Sequence, residues 1–471
     1  MNRAPLRILL VNPWITDFAA YDFWIKPVGL LRIGRMLKAA GCDVTLLDCL
    51  DRYHPVFTDQ SAVETRNDGT GHFHKTPIEK PECLGFVPRN YSRYGLPIEM
   101  AEAILADMQQ PDLIFVTSVM TYWYPGVREM IGLLNRLFQE TPVILGGIYA
   151  TLCRDHAWIH SGADEIVAGE VDAERLSDIL DTWTGRSPEI PECSPFPDYS
   201  FYPNLHTAAL QTSKGCPFDC PFCASAILTD EHYRIPPDLV IGEVRKLHER
   251  GARHFAFYDD ALLIQADTHL IPMLEGIVRM GLPIRFHTPN GMHPKLITPQ
   301  IAGLFFKARF QTVRLSFETS NPERQKSMGM KVETPDLESA VTFLSEAGYR
   351  PVDIGCYVLM GLYDQPVEEV IESIFAVWRL GMRVSLASFS PIPGTACWKD
   401  AVVHHNMDPG IDPLLTNNSV FAMSQRILDY ETFQRLHTLA NDGNRLIREG
   451  VEPEHHQGIV AVMQRMLKHI A

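Results

Sequence analysis

The sequence of 471 residues predicts an α/β protein with two successive series of strand–helix units and a helical C-terminal region. Residues 6–183 and 206–389 both alternate short apolar runs, typical of buried parallel strands, with longer amphipathic segments, typical of helices. A proline-rich stretch over residues 184–205 separates the two series and marks a domain boundary. These observations favour a Rossmann-like, doubly wound N-terminal domain followed by a partial (β/α)6 barrel.

The N-terminal series contains repeated βα units with one interruption. Strands are predicted over residues 6–11, 43–48, 112–117, 142–147 and 164–169, and helices over 27–40, 98–107 and 125–138. Residues 50–97 show neither the apolar repeat of a helix nor that of a strand, and we interpret them as an insertion and a candidate lid. Ligands of doubly wound sheets bind beyond the carboxyl ends of the strands, so the residues at those ends are candidates for binding.

The second series has six strands and five intervening helices. Strands are predicted over 206–212, 254–258, 283–288, 312–317, 352–359 and 383–389, and helices over 237–250, 268–280, 300–308, 335–347 and 366–380. Further helices are predicted in the tail over 425–448 and 452–469. The predicted domains are therefore 1–183, a linker over 184–205, a barrel over 206–395 and a helical region over 396–471. Barrel chemistry is expected at the carboxyl ends of the strands.

Composition and charge narrow the class of protein. The net charge is −15, which argues against a generic nucleic-acid-binding surface but leaves a local basic groove open. No apolar run reaches about 18 residues, and the N-terminus has no apolar signal-peptide region, so we expect no membrane span. The ten cysteines are scattered along a long chain, which fits a reducing cytoplasm better than a disulfide framework.

A short loop after the first barrel strand concentrates three of these cysteines. Cys216, Cys220 and Cys223 have the spacing CxxxCxxC, and the loop contains a glycine and two prolines that favour tight turns. Thiolates are soft ligands that suit iron–sulfur clusters or zinc. Three ligands leave one iron of a four-iron cluster open. Zinc usually takes a fourth Cys or His, and His232 lies nine residues after Cys223, so a zinc site remains an alternative.

Residues 214–223 resemble the cluster loop of radical S-adenosylmethionine (SAM) enzymes. The resemblance implies that Cys216, Cys220 and Cys223 hold a [4Fe–4S] cluster whose open iron chelates SAM. One electron from an external reductant of the flavodoxin or ferredoxin type then cleaves SAM to methionine and a 5′-deoxyadenosyl radical. In this family the aromatic residue before the third cysteine, here Phe222, lies against the adenine.

Residues at later strand ends extend the resemblance in the expected order. Residues 257–263 resemble a motif that binds the amino end of SAM, 314–319 a motif that reaches its ribose and methionine portions, and 357–362 and 390–395 the motifs after the fifth and sixth strands. The pattern departs at 363–365, where the common Pro-Gly-Glu is absent. Any single carboxylate among them has the alternative of a solvated loop charge. The implied SAM contacts are Tyr258, Asp259, Asp260, Asn290, Ser316 and Glu318.

The N-terminal half resembles the cobalamin-binding domain of many radical SAM enzymes. The resembling segments are 12–13, 26–34, 145–151 and 163–170. The resemblance implies that the nucleotide tail of cobalamin lies along the backbone at strand ends, with contacts to Ser118, Gly146, Gly147 and Gly169. The loop Asp-x-His-x-x-Gly, which supplies a histidine to cobalt in some cobalamin proteins, is absent, and the usual Gly-Glu-Gly-Glu is replaced at 169–172. The alternatives are a purely structural domain or one that binds another ligand.

An aromatic segment over residues 120–126 follows the strand predicted at 112–117. It is placed where a corrin face would lie if the domain binds cobalamin. Packing between the two domains is an equal alternative for these side chains.

Together these features predict a cytoplasmic radical SAM enzyme with a [4Fe–4S] cluster, SAM and cobalamin as cofactors. The commonest reaction of the resembling enzymes is methylation of an unactivated carbon, in which a substrate radical takes a methyl group from methylcobalamin. Rearrangement or cyclisation, with or without cobalamin, is the alternative, and a non-catalytic iron–sulfur redox sensor is a remote one. The expected substrate is a small or natural-product-like molecule, and the sequence assigns no catalytic side chain.

Overall fold

The computed structural model describes residues 4–57, 65–229, 232–329 and 332–468. The chain divides into two compact units, one with residues 1–209 and 249–252 and the other with 210–248 and 253–471. Among the described residues, no helix has both the length and the apolar character needed to cross a membrane.

The N-terminal unit is organised around a parallel five-stranded sheet with the order β10-β9-β8-β1-β4. Its strands, and the shorter ones between them, are β1 (Arg7–Asn12), β2 (Ile15–Asp17), β3 (Tyr21–Asp22), β4 (Asp43–Asp48), β5 (Gly71–His72), β6 (Lys75–Pro77), β7 (Ser92–Tyr94), β8 (Leu113–Val116), β9 (Val143–Leu145) and β10 (Glu165–Ile166). The strand order reverses between β1 and β8, which is the point where open parallel sheets bind ligands.

Helices cover both faces of this sheet because its central strands are apolar on both sides. Leu9 and Val11 of β1 belong to the core on one face, whereas Ile8 and Leu10 belong to the core on the other. The helices are α1 (Val28–Ala39), α2 (Ile98–Ala106), α3 (Tyr124–Leu137), α4 (Ile148–Leu152), α5 (Arg154–His160) and α6 (Ala173–Thr184). The predicted doubly wound architecture of this half is therefore confirmed.

The predicted insertion over residues 50–97 contains short strands in its described part. β6 and β7 form a three-stranded antiparallel sheet with β2, and β5 pairs with β3. Strands of two or three residues are too short to show a period in the sequence, so their absence from the prediction has a simple cause. A buried ion pair, Arg52 Nε to Asp22 Oδ2 at 2.7 Å, fixes this segment.

The barrel sheet has six strands in the order β11-β14-β15-β16-β17-β18; the strands β14 to β18 belong to the second unit and pair in parallel. Its strands and a small hairpin are β11 (Thr207–Leu210), β12 (Ser213–Lys214), β13 (Tyr233–Arg234), β14 (His254–Phe257), β15 (Arg285–His287), β16 (Phe310–Glu318), β17 (Ile354–Met360) and β18 (Arg383–Ser388). The sheet order follows the chain order, as a partial (β/α)6 barrel requires, and this prediction is confirmed.

The helices of the second unit lie between these strands and in the tail. They are α7 (Ser225–Leu228), α8 (Pro237–Glu249), α9 (Leu270–Met280), α10 (Pro299–Lys307), α11 (Pro322–Ser327), α12 (Thr334–Ala347), α13 (Val367–Arg379), α14 (Ala396–His404), α15 (Phe421–Ser424), α16 (Tyr430–Arg448) and α17 (Gln457–Lys468). The helix predicted from residue 425 begins at Tyr430 instead. Arg426 has a left-handed backbone with φ of 57°, and Asp429 caps the helix by accepting from the Thr432 amide at 2.7 Å.

Candidate active site

The three predicted cluster ligands lie on one loop at the carboxyl end of β11, which we call the cysteine loop (residues 212–225). Gly215 has φ of 80°, a conformation that suits glycine and turns the chain into the loop. Cys220 is buried, Cys216 is half-buried and Cys223 is exposed. The Cys223 amide donates to the Cys220 carbonyl at 3.0 Å, so the last two cysteines belong to one tight turn.

Asp259, directly after β14, anchors the start of the cysteine loop. Its Oδ1 accepts three hydrogen bonds, from the Thr212 amide at 3.0 Å, the Thr212 hydroxyl at 2.7 Å and the Ser213 hydroxyl at 2.6 Å. Burial raises the pKa of this carboxyl, and the Ser213 and Thr212 hydrogen bonds oppose that shift. Its Oδ2 is buried and has no hydrogen-bond partner among the described residues.

Asp260 holds the same loop from the solvent side. Its Oδ2 accepts from the Gly215 amide at 3.1 Å, and its Oδ1 accepts from the Ser225 hydroxyl at 3.3 Å. Ser225 Oγ in turn lies 3.2 Å from Cys223 Sγ. The two adjacent carboxylates therefore fix both ends of the segment that contains the cysteines.

A cleft of about 430 Å³ opens beside these groups. It is lined by residues of the cysteine loop and of the loops after β14 and β15, among them Cys216, Asp259, Asp260, Asn290 and His293. Asp259 and Asp260 both line this cleft, so its wall contains carboxylates, which are acceptors suited to an ammonium group. The cleft therefore fits the amino end of SAM by the chemistry of its wall.

A second cleft, of about 280 Å³, brings Phe222 of the cysteine loop together with Glu318. Glu318 has φ of 71°, and the register of β16 against β17 shifts between Ser316 and Glu318. A left-handed glutamate at a strand end is strained, and such strain is concentrated at functional sites. We refer to this site as the Phe222 cleft.

The remaining SAM candidates of the second unit are placed less directly. Asn290 is exposed and its Nδ2 donates to the Asp259 carbonyl at 3.3 Å. Ser316 is buried beneath Gly291, where a Cβ would come within 2.4 Å of the Ser316 Oγ. Tyr258 is half-buried, and its amide donates to the Leu210 carbonyl at 2.7 Å.

The cobalamin candidates lie on three neighbouring strand ends of the N-terminal unit. The Ser118 hydroxyl, which is 3% exposed, donates to the Gly146 carbonyl at 2.7 Å. Gly147 has φ of 93°, and a Cβ there would lie 2.2 Å from the Ser118 carbonyl oxygen. The glycines therefore allow the turns after β8 and β9 to touch. The Ser118 hydroxyl stabilises this contact by its hydrogen bond to the Gly146 backbone.

Two residues that the sequence reasoning missed connect these turns to β10. The Thr151 hydroxyl donates to the Gly147 carbonyl at 2.8 Å and accepts from the Gly169 amide at 2.9 Å. Arg175 donates to the carbonyls of Ala168 and Glu170, at 2.7 and 2.8 Å, on either side of Gly169. Thr151 ends the resembling segment 145–151 and Arg175 lies outside it, and neither was singled out because each acts on backbone groups, which the sequence does not show.

The aromatic segment 120–126 packs within the N-terminal unit. Tyr122 is buried, Trp123 Nε1 donates to Asp17 Oδ2 at 2.8 Å, and Tyr124 stacks on Tyr149 with ring centroids 5.9 Å apart. These contacts account for all three rings without a corrin ligand.

The cysteine loop fits an iron–sulfur cluster by its donor set. Within the described ranges, no group of three or more His, Cys, Asp or Glu side chains is already gathered around a metal position. The loop nevertheless offers three thiols and contains no fourth Cys and no His, the set that a cluster with an open iron uses. Cluster assembly is expected to draw these thiols together, since metal binding is coupled to local folding.

Comparison with known proteins identifies the second unit. Residues 210–377 match the radical SAM superfamily. The chain is 25% identical over 221 residues to an uncharacterized methyltransferase of Pyrococcus horikoshii, covering 45% of this chain and 47% of that protein. It is 24% identical over 374 residues to the hopanoid C-2 methylase of Rhodopseudomonas palustris, covering 72% of this chain and 67% of that protein. The chain thus spans about half and two thirds of these curated relatives.

The fold of the whole chain also has a solved counterpart. The structure of the radical SAM methyltransferase TsrM from Kitasatospora setae, with cobalamin and a [4Fe–4S] cluster bound, superposes with a TM-score of 0.61 at 15% identity. The match covers 99% of this chain and 100% of that one. The radical SAM domain implies SAM and a [4Fe–4S] cluster as cofactors. Residues 210–377 are therefore similar to the radical SAM superfamily, and the chain as a whole has a fold similar to that of TsrM, a methyltransferase solved with cobalamin bound.

Proposed function

We propose that this enzyme uses cobalamin to methylate an unactivated carbon of a small, natural-product-like molecule. The observation that carries the proposal is that the chain joins a radical SAM domain to a second α/β unit with clamped glycine turns at its strand ends. Such a pair of units is also present in TsrM with cobalamin bound, and one curated relative is a hopanoid methylase. When bound, the cluster, SAM and cobalamin supply the radical and the methyl group.

The residues of the second unit bind and orient SAM in this proposal. Cys216, Cys220 and Cys223 are the cluster ligands, and the free Oδ2 of Asp259 accepts a hydrogen bond from the SAM ammonium. Phe222 and Glu318 face the same small cleft, which suits an aromatic base and a hydroxyl-bearing sugar. Tyr258, Asp260, Asn290 and Ser316 complete the proposed contacts.

The residues of the N-terminal unit form the proposed cobalamin cradle. Gly146, Gly147 and Gly169 lie partly open at adjacent strand ends, so a bulky ligand can approach their backbone. These turns are stabilised by hydrogen bonds between their backbone and the side chains of Ser118, Thr151 and Arg175. The one-electron reductant is proposed to be a flavodoxin or ferredoxin, and the site of action the cytoplasm.

The test is SAM cleavage by anaerobically reconstituted protein with a chemical reductant. We expect 5′-deoxyadenosine from the wild-type protein and none from Cys220→Ala, which also loses its iron because a buried ligand thiol is removed. The matched control is Cys83→Ala, since Cys83 is exposed and lies in the insertion far from the loop in sequence. Cleavage that survives in Cys220→Ala would show that the cysteine loop is not the cluster site.

A further inference from the structure

A buried carboxylate, Glu369, sits in the first turn of α13 and contacts neither of the two clefts. It is 4% exposed. Four side chains donate to it: Thr319 Oγ1 at 2.8 Å, Arg324 Nε at 2.7 Å, Asn321 Nδ2 at 3.3 Å and Gln365 Nε2 at 3.4 Å. A buried carboxylate is tolerated only when it is paired and hydrogen-bonded in this way.

Three of the four donors belong to one segment, residues 319–329, which follows β16 and which we call the post-β16 segment. Its other contacts also return to the helix that carries Glu369: the Ser320 amide donates to Ser373 Oγ at 2.9 Å. Arg324 Nη2 donates to the Asp364 carbonyl at 3.0 Å, just before α13. Glu369 and its neighbours therefore fix the path of the whole segment.

The post-β16 segment forms part of the proposed SAM site. Thr319, Gln325 and Met328 line the Phe222 cleft together with Glu318, which immediately precedes the segment. At the other end of the segment, Gly329 lies against the cysteine loop, where a Cβ would be 3.5 Å from the Asp219 carbonyl oxygen and 3.9 Å from the Cys220 Cα. A shift of the segment would thus change the wall of the cleft, which Thr319, Gln325 and Met328 form, whereas Gly329 makes only van der Waals contact with the backbone of the cysteine loop.

We propose that Glu369 is a positioning residue of the SAM site: through Thr319 and Arg324 it fixes the post-β16 segment so that Glu318 and Met328 face the cleft beside Phe222. This inference rests on the proposed function, because it assumes that SAM occupies that cleft. Glu369 itself touches neither cofactor nor reacting atoms in this arrangement. Its effect is expected on SAM binding, with the cluster still assembled.

The experiment compares Glu369→Gln with wild-type protein, each reconstituted with its cluster and reduced. The dissociation constant of SAM is read from the change that SAM causes in the electron paramagnetic resonance spectrum of the cluster. We expect binding about tenfold weaker in Glu369→Gln, the range found when residues behind a ligand shell are changed. The amide oxygen can still accept from Thr319 and Arg324, but the NH2 group then replaces Oε2 and faces the Asn321 Nδ2 donor, and the negative charge beside Arg324 is lost. Iron content should remain that of the wild type.

Controls separate positioning from general stability. Glu372→Gln changes an exposed carboxylate on the same helix and should bind SAM like the wild type. Glu369→Asp keeps the charge and should recover part of the affinity. If Glu369→Gln does not fold, Arg324→Gln removes the other partner of the ion pair, whose side chain is 20% exposed. Lys326→Gln, which removes a more exposed cation on the same helix α11, is its matched control.

Two outcomes separate the positioning role of Glu369 from the proposed function itself. Wild-type SAM affinity in a folded, iron-loaded Glu369→Gln or Arg324→Gln protein contradicts the positioning role, even if the thermal unfolding midpoint falls. A wild-type protein that holds iron but shows no spectral response to SAM contradicts the proposed function and the inference together.

Discussion

At the scale of single residues, the two carboxylate oxygens of Asp259 have different surroundings. Oδ1 fixes the start of the cysteine loop through three hydrogen bonds, whereas Oδ2 has no hydrogen-bond partner among the described residues, and we propose Oδ2 as the acceptor for the SAM ammonium. The sequence predicted that a carboxylate follows this strand and would meet SAM. It could not show the division between the two oxygens, because that depends on which hydroxyls the fold brings near.

We predict that Asp259→Asn weakens SAM binding by about 10- to 100-fold, since a hydrogen bond to a charged group contributes about 1.5–3 kcal/mol. The amide oxygen can still accept from Thr212 and Ser213, so the cysteine loop and its iron should be retained. The dissociation constant of SAM is measured on reconstituted protein. Asp267→Asn, an exposed neighbour in the following loop, is the control and should be unchanged. Equal affinity in both variants would remove Asp259 from the SAM site.

Ser118 illustrates the limit of inference from a motif. The resemblance assigned its hydroxyl to the cobalamin tail, whereas the structure shows that hydroxyl donating to the Gly146 carbonyl. Its role as a cobalamin contact stays a prediction. Thr151 and Arg175, which tie Gly147 and Gly169 together, were not predicted because their contacts are to backbone groups.

At the scale of elements, the tail helix α16 closes the free edge of the barrel sheet. Asn444 Oδ1 accepts from the Val384 amide at 2.8 Å, and its Nδ2 donates to the Val384 carbonyl at 2.7 Å. The side-chain amide thus pairs with edge strand β18 as a further strand would, and it also accepts from Trp378 Nε1 at 3.3 Å. The tail is therefore part of the barrel's structure.

Asn444→Ala should lower the free energy of unfolding by about 2 kcal/mol or more, because it leaves the buried amide and carbonyl of Val384 without partners. Chemical denaturation measures this difference. Asn441→Ala, an exposed asparagine on the same helix, should change it by no more than about 0.5 kcal/mol. A stability of Asn444→Ala within that margin would mean that water replaces the side-chain amide at the edge.

The elements that the sequence predicted well are those with a long apolar period. The strand predicted over 43–48 has the same bounds in the structure, and the strand and helix series of the barrel are present in the predicted order. The short strands β5, β6 and β7 were not predicted, because two or three residues cannot display a period. The start of α16 was misplaced because a local left-handed residue, Arg426, interrupts a pattern that otherwise suits a helix.

At the scale of the whole molecule, the chain contains two compact units, and we propose that each binds its ligand at the carboxyl ends of its parallel strands. The chemistry that we propose for the second unit rests on its cysteines and on the similarity of residues 210–377 to the radical SAM superfamily. The chemistry of the first unit depends on whether its glycine turns bind cobalamin. Cobalamin binding is therefore the part of the proposed function to test first.

The most direct test is the metal content of anaerobically purified, cluster-reconstituted protein that has been offered hydroxocobalamin and freed of excess. We predict about four irons per chain, as a [4Fe–4S] cluster requires, and about one cobalt. Cys220→Ala should lose the iron and keep the cobalt, because its cysteine belongs to the other unit. Iron without cobalt in the wild-type protein would contradict the cobalamin claim and leave a radical SAM enzyme whose N-terminal unit has another purpose.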